Sequence, residues 1–135
     1  MMKKENMEID FSERSARAFH TGKLCEEMLQ KFIPEFHPLD ESIDGELFGA
    51  PAEIKGCLMN VSRSDRVRPR SGRFYLRDYQ HNELLKNNGR YIFMVIDGEQ
   101  IMHTKIILAS RLLPEFTGCK TLTWKTLFNH VGEAC

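Results

Sequence analysis

The stretch Ile43-Asp-Gly-Glu-Leu-Phe-Gly-Ala-Pro-Ala-Glu-Ile-Lys55 reads as two short strands joined by a turn at Gly49–Pro51. Side chains alternate along a strand, so Glu53 and Lys55 share one face, while Ala52, Ile54 and Leu58 line the other, the expected core side. A turn centred on Phe48 and Gly49 sets Asp44 directly opposite Glu53; Pro51 leaves a wider turn open. Two acids facing each other across a strand pair destabilise it unless something positive lies between them, and a divalent cation is the usual answer. Lys55 then flanks that cation.

Working towards the N-terminus, Pro34 to Ser42 reads as a loop with two prolines. Before it, Leu24, Cys25, Met28, Leu29, Phe32 and Ile33 recur at three and four residues, which predicts an amphipathic helix ending at Pro34. It starts near Ser12 as N-cap, or is split at Gly22 into two. Glu26 stands at the boundary of its apolar stripe and Glu27 further out. Residues 1–10 read as a flexible lead-in and 11–135 as one domain.

In the other direction, Asn60 to Gly72 is polar and aperiodic. Arg63, Arg66, Arg68, Arg70, Arg73 and Arg77 concentrate six of the ten arginines here, opposed by Asp65 and Asp78. The guanidinium fork matches phosphate oxygens, so a loop that uses Arg in place of Lys points to backbone contact with nucleic acid. Phe74 and Tyr75 interleave with it at strand spacing, as core or edge residues. Arg73 to Leu76 reads as extended. Asp78 then caps a helix running through Asn88, with Gly89 as its C′ residue and Tyr79, Leu84 and Leu85 on its buried face; His81 reads as a helix-surface residue. Arg90 to Ile96 is aromatic and β-branched, a buried strand, and Asp97-Gly98 turns it into a second strand, Gln100 to Leu108. Leu112 to Gly118 is a loop, and Thr123 caps a short terminal helix that docks Trp124, Leu127 and Phe128 on the sheet and stops near Gly132.

Composition narrows the function classes. A formal net charge of zero argues against indiscriminate coating of nucleic acid or membrane. No apolar run approaches the length of a membrane span, and the N-terminus lacks the apolar core of a secretion signal, so a cytoplasmic protein is expected. Cys25, Cys57, Cys119 and Cys135 are widely spaced, with no Cys-x-x-Cys pair, which favours free thiols over a zinc or iron–sulfur site. The alternation of helix, strands, helix, strands and helix predicts an α/β domain: a small mixed central sheet flanked by helices.

Asp44 followed by Glu53-x-Lys55, the one Glu-x-Lys triplet in the chain, resembles the metal-binding signature of the PD-(D/E)xK nuclease superfamily, which includes restriction endonucleases and archaeal Holliday-junction resolvases. Gly22-x-x-x-Glu26 resembles the acid-bearing helix that precedes the signature in that family, and Tyr79-Gln80-x-x-x-Leu84 the helix that follows it. Ile43 stands where a proline often precedes the acid. The resemblance covers about residues 12–96 and implies a restriction-endonuclease-like fold. It also implies a DNA endonuclease with Asp44, Glu53, Lys55, Glu26 and Gln80 as site residues. Mg²⁺, with Mn²⁺ as a substitute, is then held by Asp44, Glu53 and the Ile54 carbonyl, and symmetric cleavage of a duplex or junction implies a homodimer. The alternative is a nuclease-fold module that binds nucleic acid or protein without chemistry.

Overall fold

The computed structural model describes residues 25–39, 43–61 and 70–131. Residues 25–32 are helical (α1), and Cys25 and Leu29, four residues apart, are its buried stripe. The following segment, expected as a loop, contains a short edge strand, β1 (Phe36–Pro38). Pro38 is tolerated there because it ends an edge strand. Then come β2 (Gly45–Leu47), β3 (Ala50–Leu58), and a small pair, β4 (Asn60–Val61) with β5 (Arg70–Ser71). β6 (Arg73–Arg77) leads into α2 (Asp78–Lys86), and β7 (Arg90–Asp97) and β8 (Gln100–Leu108) form the expected hairpin. The chain continues through α3 (Ala109–Leu112), β9 (Cys119–Thr123), α4 (Trp124–Thr126) and a wide π-type turn, Leu127–Val131.

The main sheet has five strands in the order β1-β2-β3-β7-β8. β1, β2 and β3 form an antiparallel meander, β3 and β7 are parallel, and β8 returns antiparallel, so the sheet is mixed. The β2–β3 link is a two-residue turn, Phe48 (φ 55°) and Gly49 (φ 79°), and Gly45, Glu46 and Leu47 pair with Ala52, Pro51 and Ala50. Two successive positive φ values twist the chain in the sense that flanking strands require. Pro51 does not widen the turn: its missing N–H costs nothing because pairing to β7 begins one residue later, at Ala52.

Every residue from Tyr91 to Ile96 is buried, which requires cover on both sheet faces. On one face α1 packs Cys25 and Leu29 against Leu47, Ala52, Ile54, Ile92, Met94 and Ile96. On the other, Leu84 of α2 and Phe74 and Leu76 of β6 pack on Cys57, Tyr91, Phe93 and Val95. Each such side chain, fully buried, is worth about 1.5–3 kcal/mol. The Glu53 and Lys55 side of β3 is therefore not a solvated face; it lies under this second layer.

Several boundaries differ from expectation. β9 pairs antiparallel with β6, a strand lying between the expected loop, which ends at Gly118, and the expected cap at Thr123. Arg77 is the N-cap of α2 and Asp78 sits in its first turn, where its carboxylate accepts from the N–H groups of Gly118 (2.9 Å) and Tyr79 (2.8 Å). These bonds hold its pKa below the ordinary value. Tyr79 is exposed rather than buried. The left-handed residue after α2 is Asn88 (φ 54°), not Gly89. Gly89 donates to the Leu84 carbonyl at 2.7 Å, and a Cβ there would lie 2.5 Å from Leu84 Cδ2 and 2.8 Å from the Pro51 carbonyl, so its bareness lets α2 approach β3. Thr123 caps the terminal helix as expected, and Trp124 docks by donating from Nε1 to the Met59 carbonyl at 2.8 Å. Gly132 and Cys135 lie outside the described residues; Cys25, Cys57 and Cys119 are free thiols. Among the described residues no helix is long and apolar enough to cross a membrane.

Candidate active site

Extending the β2–β3 register by one position sets Asp44 against Glu53. Two bonds fix the pair: the Asp44 N–H donates to Glu53 Oε1 at 3.0 Å, and the Ile54 N–H donates to Asp44 Oδ2 at 2.8 Å. Lys55 Nζ lies 3.2 Å from Glu53 Oε2 and donates to Gln80 Oε1 at 2.9 Å. Asp44, Glu53, Lys55 and Gln80 thus form one continuous polar run. Gln80 reaches it because it stands in the first turn of α2, which packs over the face of β3 that bears Lys55.

The electrostatics follow from burial. Glu53 is 3% exposed, with Tyr91 beside it in the parallel ladder and Phe93 beside Lys55. Loss of water pushes the Glu53 carboxyl up to about 7; the Lys55 charge opposes that shift and the Asp44 charge adds to it. The Tyr91 hydroxyl is likewise pushed above its ordinary range, by burial and then by the Glu53 charge. One lysine therefore does not fully compensate two carboxylates in a dry setting.

The donor set suits a hard cation. Among the described residues no three His, Cys, Asp or Glu side chains converge, so any ion here rests on two carboxylates, main-chain oxygen and water. Magnesium is commonly held by one or two carboxylates while keeping several waters. In an extended strand a residue's N–H and C=O point to the same flank, and the Ile54 N–H faces Asp44. The Ile54 carbonyl is on that flank too.

The remaining expected residues are placed unequally. Glu26 and Glu27 are both exposed on α1. Burial pushes the Cys25 thiol up to about 12, with the charges of Glu26 and Asp44 adding, so Glu26 is within electrostatic reach of the thiol that also senses Asp44. Arg63, Arg66 and Arg68 lie outside the described residues. Arg70 is half-buried in β5, donates to the Ser71 carbonyl at 2.9 Å, and opposes the burial that pushes the Cys57 thiol up to about 12. Arg73 and Arg77 are exposed on β6.

His81 corrects the sequence reading most clearly. It is fully buried, with Nδ1 2.9 Å from the Tyr91 hydroxyl and Nε2 3.0 Å from the Leu113 carbonyl. A carbonyl only accepts, so Nε2 carries a proton, and in the neutral ring Nδ1 accepts from the Tyr91 hydroxyl. The ring stacks on Tyr91 and tilts against Phe116. Next to Gln80 in sequence, it pins the first turns of α2 to β7. His81 is therefore not the helix-surface residue expected; the signal for its burial was the lone hydroxyl of Tyr91 in an otherwise apolar strand, which needs a buried partner.

Neither the curated proteins nor the solved structures yield a match to this chain. The family model for the PD-(D/E)XK nuclease superfamily domain does match, over residues 12–130, a span that takes in the Asp44–Gln80 run, the mixed sheet and both covering layers. The fold is the α/β, restriction-endonuclease-like one, and the chain belongs to the PD-(D/E)XK nuclease superfamily.

Proposed function

We propose that this protein is a metal-dependent DNA endonuclease that hydrolyses phosphodiester bonds in duplex or branched, Holliday-type DNA. The observation that carries the reading is the unbroken contact of Asp44, Glu53, Lys55 and Gln80. Asp44, Glu53 and the Ile54 carbonyl would hold Mg²⁺, or Mn²⁺ in its place. When bound, the ion acidifies water and offsets charge on the scissile phosphate. Lys55, fixed between Glu53 and Gln80, orients the attacking water and donates to the phosphate oxygens as negative charge grows on them. Gln80 steadies the ammonium, and Glu26 would act on water near the two acids. Attack by water forms one P–O bond and breaks the bond to the leaving sugar oxygen, yielding a phosphate monoester and a hydroxyl.

Arg63, Arg66, Arg68, Arg70, Arg73 and Arg77 contact the phosphate backbone, and a homodimer supplies the second site for symmetric cuts in cytoplasmic DNA. The test is a Mg²⁺-dependent cleavage assay on linear, nicked and branched DNA. Glu53→Ala and Lys55→Ala are expected to abolish cleavage. Full activity in both variants overturns the assignment, and salt-sensitive DNA binding without any cleavage supports a non-catalytic binding module instead.

A further inference from the structure

The β6–β9 ribbon has an outward face that the core does not use. Phe74 and Leu76 of β6 point inward, with Phe74 packed on Phe93 at 4.7 Å between ring centroids. Arg73, Tyr75 and Arg77 therefore point away from the sheet, and all three are exposed, Tyr75 at 60%. Cross-strand partners share a face, which adds Thr123, Thr121 and Cys119 opposite them. The face thus carries two guanidinium groups, a phenol ring between them, two hydroxyls and a thiol, with no carboxylate. Among the described residues neither arginine makes a salt bridge. The nearest acid in sequence, Asp78, accepts from the N–H groups of Gly118 and Tyr79, and the Arg77 charge acts on it less than those bonds do.

A chain of zero net charge that sets two arginines, neither in a salt bridge among the described residues, around an exposed ring has a local surface suited to a polyanion with aromatic faces. The ring decides which form. Bases in a duplex are stacked on each other and offer only their edges, whereas an unstacked base can lie on a tyrosine while flanking arginines take its phosphates. The ribbon is also continuous with the candidate site: Arg77 ends β6, and α2 begins at once, with Gln80 in its first turn.

We infer that the outward face of the β6–β9 ribbon binds a single-stranded segment of nucleic acid, with Tyr75 stacking on a base and Arg73 and Arg77 holding its backbone. The substrate class is then nucleic acid with unpaired bases next to the scissile phosphate, such as a flap, gap or frayed branch. This rests on the nuclease reading of the Asp44–Gln80 run, but it is tested by binding rather than by cleavage.

The experiment is fluorescence anisotropy in EDTA, using the full chain and a labelled single-stranded oligodeoxynucleotide of about 16 nucleotides, beside a blunt duplex of the same sequence. Tyr75→Ala is expected to weaken single-strand binding by about fivefold or more, Tyr75→Phe to retain it, and both to leave duplex affinity unchanged. Arg73→Ala and Arg77→Ala should each weaken binding and flatten its salt dependence. Photo-crosslinking of an iodouracil-substituted strand should label the Tyr75 peptide. Wild-type affinity in Tyr75→Ala, or equal loss for strand and duplex, overturns the inference, and it falls alone if wild-type protein still cleaves DNA. Absence of binding to any nucleic acid, together with absence of cleavage, removes the nuclease reading as well.

Discussion

The main-chain N–H of Asp44 donates to Oε1 of Glu53 at 3.0 Å, so the two acids are tied through the backbone of the hairpin and not merely set near each other. With the return bond from Ile54 N–H to Asp44 Oδ2, the spacing of the two acids is set by main-chain donors. Preorganisation of this kind is what a metal site on strands needs.

Asp44→Ala separates the structural from the chemical role of that acid. It leaves the Ile54 N–H without its acceptor, and is expected to cost about 1–3 kcal/mol in urea unfolding. Asp44→Asn keeps an oxygen for that bond, and stability should stay within about 1 kcal/mol of the parent. Both should lose cleavage by about a hundredfold or more in single-turnover assays; an active Asn variant would remove Asp44 from the site.

Glu53 makes stability depend on pH in an unusual direction. Its folded pKa, about 7, lies above the ordinary value of 4.5, so the fold favours the protonated form. That contribution is complete below about 4.5 and is lost as pH rises towards 7. Glu53→Gln, neutral at every pH, should therefore gain about 2–3 kcal/mol over the parent between pH 5 and pH 8. Mg²⁺, which selects the carboxylate form, should raise the parent's unfolding midpoint more at pH 8 than at pH 5, and should do little for Glu53→Gln. Parallel curves for the two proteins would refute this.

Gln80→Ala removes the amide oxygen that holds the Lys55 ammonium. A hydrogen bond to a charged group is worth about 1.5–3 kcal/mol, so cleavage should fall about tenfold or more while the circular dichroism spectrum and DNA affinity are kept. Unchanged cleavage would make Gln80 a bystander.

His81→Phe is expected to act on stability and not on chemistry. It leaves the Tyr91 hydroxyl and the Leu113 carbonyl without their partner, for a loss of about 2–4 kcal/mol in denaturant titration. Cleavage per folded molecule at low temperature should stay near the parent value. Gly89→Ala should also destabilise, by about 1–3 kcal/mol, because the new methyl group meets Leu84 and the Pro51 carbonyl.

What the sequence disclosed depended on how local the cause was. The opposition of Asp44 and Glu53 follows from a two-residue link, and the β7–β8 hairpin from Asp97-Gly98 between β-branched runs, so both could be read from neighbouring residues. β9 could not: Cys-Lys-Thr-Leu-Thr has no alternation strong enough to predict a strand, and it pairs because Arg73–Arg77 offers an open edge from far along the chain. The burial of Glu53 was hidden for the same reason. Polar alternation in β3 suggests a wet face, but α2 and β6 arrive from elsewhere to cover it. His81 was misread because its partners, Tyr91 and Leu113, are 10 and 32 residues away.

The parallel pairing of β3 with β7 has a consequence in time. The bond joining Asp44 to Glu53 spans 9 residues, whereas the bond joining Lys55 to Gln80 spans 25 and requires α2 to be seated over β3. Hairpins close in about 1–10 μs, while non-local parallel pairing bears a larger loop-closure cost and comes later. The chain as far as Lys55 already contains the short link that sets its two acids opposite each other, yet it has no Gln80 to fix the lysine. The setting of the two carboxylates is therefore local to the hairpin, whereas that of the lysine waits for the rest of the domain.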